Sequence, residues 1–358
     1  MNKGEEKPKT IKISIIISVI LSIAFIIAIL YFTIDPKEIY PIFQEKIRYE
    51  FLLAAVLLNV LFWFIWGARL KVLSNAIDKN VKISLMESTK IVIANLFLSS
   101  ITPSMAGGEP VRIYLLNKDG MSIGSSTAVV LGERLIDAIF MIVTVPIAFF
   151  IYKDLIENDY LSLGLVIAML IFIIGILIFI YAIKFPDKTK GFLIYINNKL
   201  SKFSKNKQGS KKIVKKISHE VDNFHNSMVF FVKEGRRAFF FGAVLTVLLW
   251  STGFMIPSMI LMSLGLPPYF IESYMAQLLL LIVVMLPTTP GSSGIAEFGI
   301  GGLYRVLLSS SNEYLIGIFV LLFRLITYHM NLIAGAIFMQ RIFKSITSFS
   351  LDTIKKEK

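Results

Sequence analysis

The sequence contains no cysteine. No disulfide framework can staple it, and no thiolate site can hold a metal. Its three histidines, His219, His225 and His329, are too scattered to form a ligand set, so neither metal nor cofactor is expected. Charge is also scarce: 17% of the 358 residues are charged against 55% that are hydrophobic. A soluble protein of this length needs far more polar surface. Period-two alternation is missing from the apolar runs, which excludes strands, and no segment reads as a separate soluble domain.

What the sequence has instead is a series of apolar runs of about 18 residues or more, long enough to cross a roughly 30 Å hydrocarbon core. Only helices or closed barrels satisfy the backbone there, and runs this continuous are helices. The expected fold is an all-α membrane protein, one polytopic domain over 1–358, in the cytoplasmic membrane of a prokaryote. The net charge of +13 sits in short segments flanking the apolar runs. That placement fits the positive-inside rule and attraction to anionic membrane lipids, not nucleic acid. The first run, 11–32, follows a tail bearing Lys3, Lys7, Lys9 and Lys12. It is too long for a signal-peptide core and lacks an Ala-x-Ala exit, so it reads as a retained helix with a cytoplasmic N-terminus.

Charge traces the rest of the path. The run 51–73 returns to a basic stretch with Arg69, Lys71, Lys79 and Lys82. The run 122–151 ends at an acidic loop with Asp154, Glu157 and Asp159, and 161–183 leads back to the strongly basic segment 184–237. The first loop is therefore external and the second cytoplasmic. Segment 81–118 must then begin and end inside, although its apolar part is broken by Thr102-Pro103-Ser104-Met105-Ala106-Gly107-Gly108-Glu109-Pro110. Two prolines and two glycines stop a helix, so the reading is a re-entrant hairpin. After 238–264, segment 271–308 must begin and end outside, because 314–339 runs back to Arg341 and Lys344. It too is broken, by Pro287-Thr288-Thr289-Pro290-Gly291-Ser292-Ser293-Gly294-Ile295-Ala296-Glu297.

Both breaks place Thr-Pro and small residues before a glutamate, and the next span of each carries Arg-Leu-Ile, at 134–136 and 324–326. The expected architecture is an inverted repeat with about seven transmembrane helices and two opposed re-entrant hairpins. The first repeat covers 51–151 with its hairpin at 83–118; the second covers 238–344 with its hairpin at 271–308. Such repeats are the mark of secondary transporters. Within 184–237, Ile213, Ile217, Val221, Phe224, Met228 and Phe231 recur at helical spacing opposite Lys211, Lys212, Lys215 and Lys216. This is either an interfacial helix on an anionic leaflet or a solvated basic connector between the repeats.

Irregular backbone at membrane depth must line a cavity or be buried in protein. The return legs start helices near Glu109-Pro110 and Ser293-Gly294, and helix N-termini offer free N–H groups to an anion. Gly107, Gly108 and Ser293 are therefore candidate backbone contacts. Arg112, Arg134 and Arg324 are candidate phosphate ligands, since a guanidinium matches phosphate oxygens bidentately. Glu109, Asp137 and Glu297 are candidate partners for a cationic group or a coupling proton. Buried charges are costly and should face protein or water, and Glu133 lies in the same span as Arg134 and Asp137. Plainer roles compete with these. Arg134 and Asp137 can neutralise each other, Glu87 can pair with Lys90, Arg69 and Lys71 can snorkel as topology anchors, and Trp63 and Trp66 can form an interface belt. Gly291-Ser292-Ser293-Gly294 with His329 also raises an intramembrane serine protease resembling rhomboids, though His329 lacks the small-residue spacing of that helix. A non-transporting accessory protein is the third class.

The segment from Asn95 to Arg112, with its Thr-Pro-Ser…Gly-Gly-Glu-Pro-x-Arg core, resembles the transmembrane region of the lysylphosphatidylglycerol synthase/flippase family. Supporting matches are Gly67-Ala68-Arg69-Leu70-Lys71, Glu133-Arg134-Leu135-Ile136-Asp137 and Pro287 to Glu297. The resemblance implies movement of a phospholipid, in the best-known members an aminoacylated phosphatidylglycerol, between leaflets. Ser292 departs from the Pro-Gly-Gly-x-Gly usual in the second loop. With no soluble acyltransferase domain before the end at Lys358, the expected protein is a non-enzymatic, flippase-like transporter of a phospholipid substrate. Its oligomeric state is left open.

Overall fold

A computed structural model describes residues 40–102, 107–153, 159–201, scattered positions between 214 and 230, 233–284, 292, 294–308 and 310–338. The run 11–32, Ser293, Arg341 and Lys344 lie outside the described residues, as do all but Val221 of the six apolar positions in the expected amphipathic segment. Among the described residues there is helix and no strand.

After a short π-helix, Ile42–Lys46, come α1 (Tyr49–Ile77), α2 (Leu85–Ile101), α3 (Gly108–Lys118), α4 (Ile123–Lys153), α5 (Asp159–Lys184) and α6 (Pro186–Ser201). They are followed by α7 (Arg236–Ser263), α8 (Phe270–Val284), α9 (Ile295–Arg305) and α10 (Ile316–Arg324). α10 continues through a π-turn, Leu325–His329, into a last span that covers Asn312–Phe338. Four of the described helices are long and apolar enough to cross a membrane: α1, α4 to Ile151, α7 and the last span.

An order of long, short, short and long helices occurs twice. α1 has 29 residues, α2 17, α3 11 and α4 31. α7 has 28, α8 15 and α9 11, and the last span has 27. Local chemistry sets the breaks. Ser84 opens α2 with a capping box: the Glu87 N–H donates to its Oγ at 3.2 Å, and its own N–H donates to Glu87 Oε2 at 2.9 Å. Glu87, expected to pair with Lys90, is thus occupied by the cap. α2 stops at Ile101 because Thr102 precedes a proline and is forced extended, at φ −117° and ψ 144°. Pro146 and Pro257, by contrast, lie inside α4 and α7 without ending them.

The short helices of each set pack on each other, α2 on α3 and α8 on α9, while α1 and α7 pack together most extensively of all. Two large apolar cores result among the described residues, beside a small one around Met141 and Val145. One joins α1 to α4 through Leu70, Val92, Leu116 and Val130; the other joins α7, α8, α9 and the last span through Ile256, Leu279, Ile300 and Phe319. Outward faces are apolar as well: Leu53, Leu57, Leu61 and Phe64 make an exposed stripe on α1, and Ile139, Val143, Ile147 and Phe150 make one on α4. Large apolar stripes outside and ion pairs inside are the arrangement of a protein whose solvent is lipid.

Candidate functional site

Among the described residues the buried charges occupy two places. The first is built by α1, α3, α4 and α7. Arg69 Nε donates to Glu133 Oε1 at 3.0 Å, and its Nη1 donates to Asp137 Oδ1 at 2.6 Å and Thr246 Oγ1 at 2.9 Å. Arg112 pairs with the other oxygen of Glu133. Trp66 Nε1 donates to Glu133, and Trp250 Nε1 to Asp137, both at 3.2 Å. The guanidinium groups of Arg69 and Arg112 each lie 5.7 Å from the Trp66 ring. Arg134 reaches Glu109 at 2.7 Å and Asp137 at 3.6 Å, so its expected pairing with Asp137 is present but secondary. Three arginines therefore face three carboxylates. Charge is balanced where its desolvation would otherwise be prohibitive.

These contacts correct two expectations. Arg69 does not snorkel; it is 1% exposed and is the hub of the network. Trp63 and Trp66 are not a surface belt, because Trp63 Nε1 donates to Asn331 and Trp66 Nε1 to Glu133. The spacing held the clue. Trp66 and Arg69 are three apart on one helix, Glu133 and Asp137 four apart on another, so each pair shares a helical face. Only the pairing of the two faces was beyond the sequence.

The α2–α3 break is held by side chains of α2. Thr102 Oγ1 accepts the Gly107 N–H at 2.9 Å and donates to the Leu98 carbonyl at 2.7 Å. Gly108 lies so close to α2 that a Cβ there would stand 2.2 Å from Ser99 Oγ and 2.3 Å from Asn95 Oδ1. Gly107 and Gly108 thus serve close helix packing at the start of α3.

The second place is built by α9 and the last span. Glu297 Oε1 lies 2.8 Å from Arg324 Nε, while its Oε2 accepts the Gly294 N–H at 2.6 Å. One carboxylate both starts α9 and balances the arginine. Gly294 is at φ 90°, a conformation a side chain would oppose. Ser292, the departure noted in the sequence, is at φ 53° and donates its hydroxyl to the Val284 carbonyl at 3.2 Å. A glycine at this position would avoid that strain. Arg324 also lies over the Tyr328 ring at 4.0 Å, and Tyr328 Oη donates to the Ser100 carbonyl of α2 at 3.2 Å. The π-turn beneath them is pinned from α1: Asn59 Nδ2 donates to the Ile326 carbonyl at 3.0 Å and to Asn331 Oδ1 at 3.2 Å. π-turns inside helices recur at functional sites.

A cavity of about 240 Å³ opens between the two halves. Its wall is mostly apolar, from residues such as Phe254, Leu280 and Phe323, with Arg324, Gln277 and Asn331 among its polar points. Ser99 and Ser100 bring α2 to it, and Ala296 and Ile300 bring α9. Of the charged residues singled out in the sequence, only Arg324 lines this cavity. Arg112, Arg134, Glu109 and Asp137 belong to the first network, which touches the cavity wall through Trp250. The serine of the protease reading, Ser293, lies outside the described residues, and the His329 Nδ1 bonds to the Arg324 carbonyl of its own helix at 3.1 Å.

The family model for the lysylphosphatidylglycerol synthase transmembrane region matches residues 16–335. The chain belongs to this family. Among curated relatives, a UPF0104 membrane protein of Archaeoglobus fulgidus is 35% identical over 297 residues, 82% of this chain and 87% of the relative. A UPF0104 membrane protein of Pyrococcus horikoshii is 25% identical over 342 residues, 93% of this chain and 98% of the relative. One of Methanocaldococcus jannaschii is 30% identical over 222 residues, 60% and 62% of the two chains. No solved structure matches. Membership in this family agrees with the coarse features of the structure, an all-helical protein with several helices apolar enough for a membrane.

Proposed function

We propose that this protein is a flippase-like transporter that moves a phospholipid, aminoacylated or otherwise amino-bearing, between membrane leaflets. In this reading α2–α3 and α8–α9 are re-entrant hairpins entering from opposite faces, in an inverted repeat, with both termini cytoplasmic. The observation that carries it is the cavity beside Arg324: a largely apolar wall that includes a buried guanidinium, lined by α2 of the first set of helices and by α7, α8, α9 and the last span of the second. A phospholipid has the complementary construction, an anionic phosphate joined to apolar chains.

Arg324 takes the phosphate, because its planar fork fits two phosphate oxygens. Glu297 balances Arg324 when substrate is absent and turns to the amino group or a proton when it is present. Arg134 and Glu109 are 36% and 47% exposed, so they form the reachable edge of the first network, with Arg112 and Asp137 behind them. The membership of the lysylphosphatidylglycerol synthase transmembrane family supports a phospholipid over other amphiphiles.

The test is translocation of a fluorescent phospholipid in liposomes reconstituted with the full chain. The pair of substitutions Arg324→Gln/Glu297→Gln removes both charges together, so no unpaired charge is left behind. The expected result is at least a tenfold lower rate, about 1.4 kcal/mol in barrier, with the thermal midpoint retained. Equal rates for the two proteins sink the assignment.

A further inference from the structure

Helix α6 starts one residue after α5 ends, at the Lys184 end of that apolar helix. Its two sides differ. Lys190, Ile194 and Asn197 are half-buried, and Lys190 Nζ pairs with Asp222 at 2.5 Å and Asp187 at 3.3 Å, so this side is tied to the protein. The other side is exposed and apolar. Phe192 and Tyr195 are exposed by 62% and 63%, with Leu193, Ile196 and the adjoining Phe185 also open. Phe192 and Ile196 are four residues apart, which puts them on one helical stripe, and Phe185 adjoins it at the start of the helix. Lys188 and Lys199 border one edge of that stripe. Lys184 and Lys188 already lie over the Phe185 ring, at 5.5 and 5.0 Å.

We infer that α6 lies in the membrane interface, with Phe185, Phe192 and Ile196 in the acyl-chain boundary and Lys184, Lys188 and Lys199 on anionic headgroups. Three observations select a lipid surface over a protein partner. The helix follows directly on α5, which carries no charged residue from 161 to 183, so the junction at Lys184 sits at the bilayer surface. Its exposed rings are bordered by lysines, the composition of helices that lie on anionic leaflets. Its polar side is occupied by Asp222, which leaves the aromatic stripe as the face turned away from the protein. This surface is separate from the amphipathic pattern read at 213–231, and it does not depend on the transport proposed above.

The lack of cysteine makes the test direct. Single cysteines at Phe192, Ile196, Asp187 and Gly191 are labelled with an environment-sensitive fluorophore in the full chain. The protein is reconstituted in phosphatidylcholine vesicles, with or without phosphatidylglycerol. The expected result is blue-shifted emission and protection from iodide at 192 and 196, with open access at 187 and 191. Phosphatidylglycerol should strengthen the protection, and Lys188→Gln/Lys199→Gln should remove that lipid dependence. Equal iodide access at all four positions in both vesicles overturns the inference. Protection that disappears on dilution to one copy per vesicle also overturns it, since a second copy of the chain would then be the cover.

Discussion

The charge network around Glu133 and the Arg324–Glu297 pair are both buried, yet they are built to different ends. Around Glu133, three arginines and three carboxylates from α1, α3 and α4 close on one another, and tryptophan N–H groups donate to the same carboxylate oxygens that Arg69 uses. Around Arg324, the arginine itself lines the wall of a cavity, and its partner Glu297 also holds the first turn of a helix. A cross-braced network costs much to open and fixes the packing of α1, α3, α4 and α7. Arg324, by contrast, has open space beside it. The first arrangement suits a frame; the second leaves a cation facing open space, as the proposed phosphate contact needs.

Breaking the frame should produce the largest effect. Glu133→Gln leaves Arg69 and Arg112 without their shared carboxylate, and about 3–5 kcal/mol of stability should be lost. A thermal unfolding scan in detergent reads it. A midpoint unchanged from wild type would make the network dispensable. Next comes the packing between the legs. Gly108→Ala places a methyl group against Asn95 and Ser99 and should cost about 1–3 kcal/mol in the same assay, with Ser99→Ala restoring part of it. The Arg324→Gln/Glu297→Gln pair should sharpen the contrast, since transport falls while stability holds. Its mirror is Arg134→Gln/Glu109→Gln at the open edge of the first network. The pairing with Asp137 is a long one, so stability there should change by less than about 1 kcal/mol. The smallest expected effect is a gain: Ser292→Gly removes a side chain from φ 53° and should stabilise by up to about 1 kcal/mol, reduced by the lost bond to Val284.

Much of this was legible in particular residues. Pro103 and its neighbours marked the end of α2, and Thr102 is extended for the reason a pre-proline residue must be. Glu297, placed three residues after Gly294, could be read as a helix-start residue, and it closes on that N–H. Arg69 was misread because a cation near the end of an apolar run usually reaches for the surface. Its burial depends on Glu133 and Asp137, more than sixty residues away. The polar pins of the last span were equally hidden. Nothing local to Asn59 announces a bond to Ile326, and the π-turn it holds has no breaker residue to betray it.

By itself the sequence determined the class of solvent, the helical state of the apolar runs, the places where short helices begin and end, and the residues too costly to bury alone. Each of these follows from energies acting within a few residues: hydrocarbon transfer, proline sterics and capping. Tertiary structure alone decided which buried charges answer one another and which one faces the cavity. Ion pairing acts between helices distant in sequence, so its outcome depends on how α1 meets α4 and how α9 meets the last span.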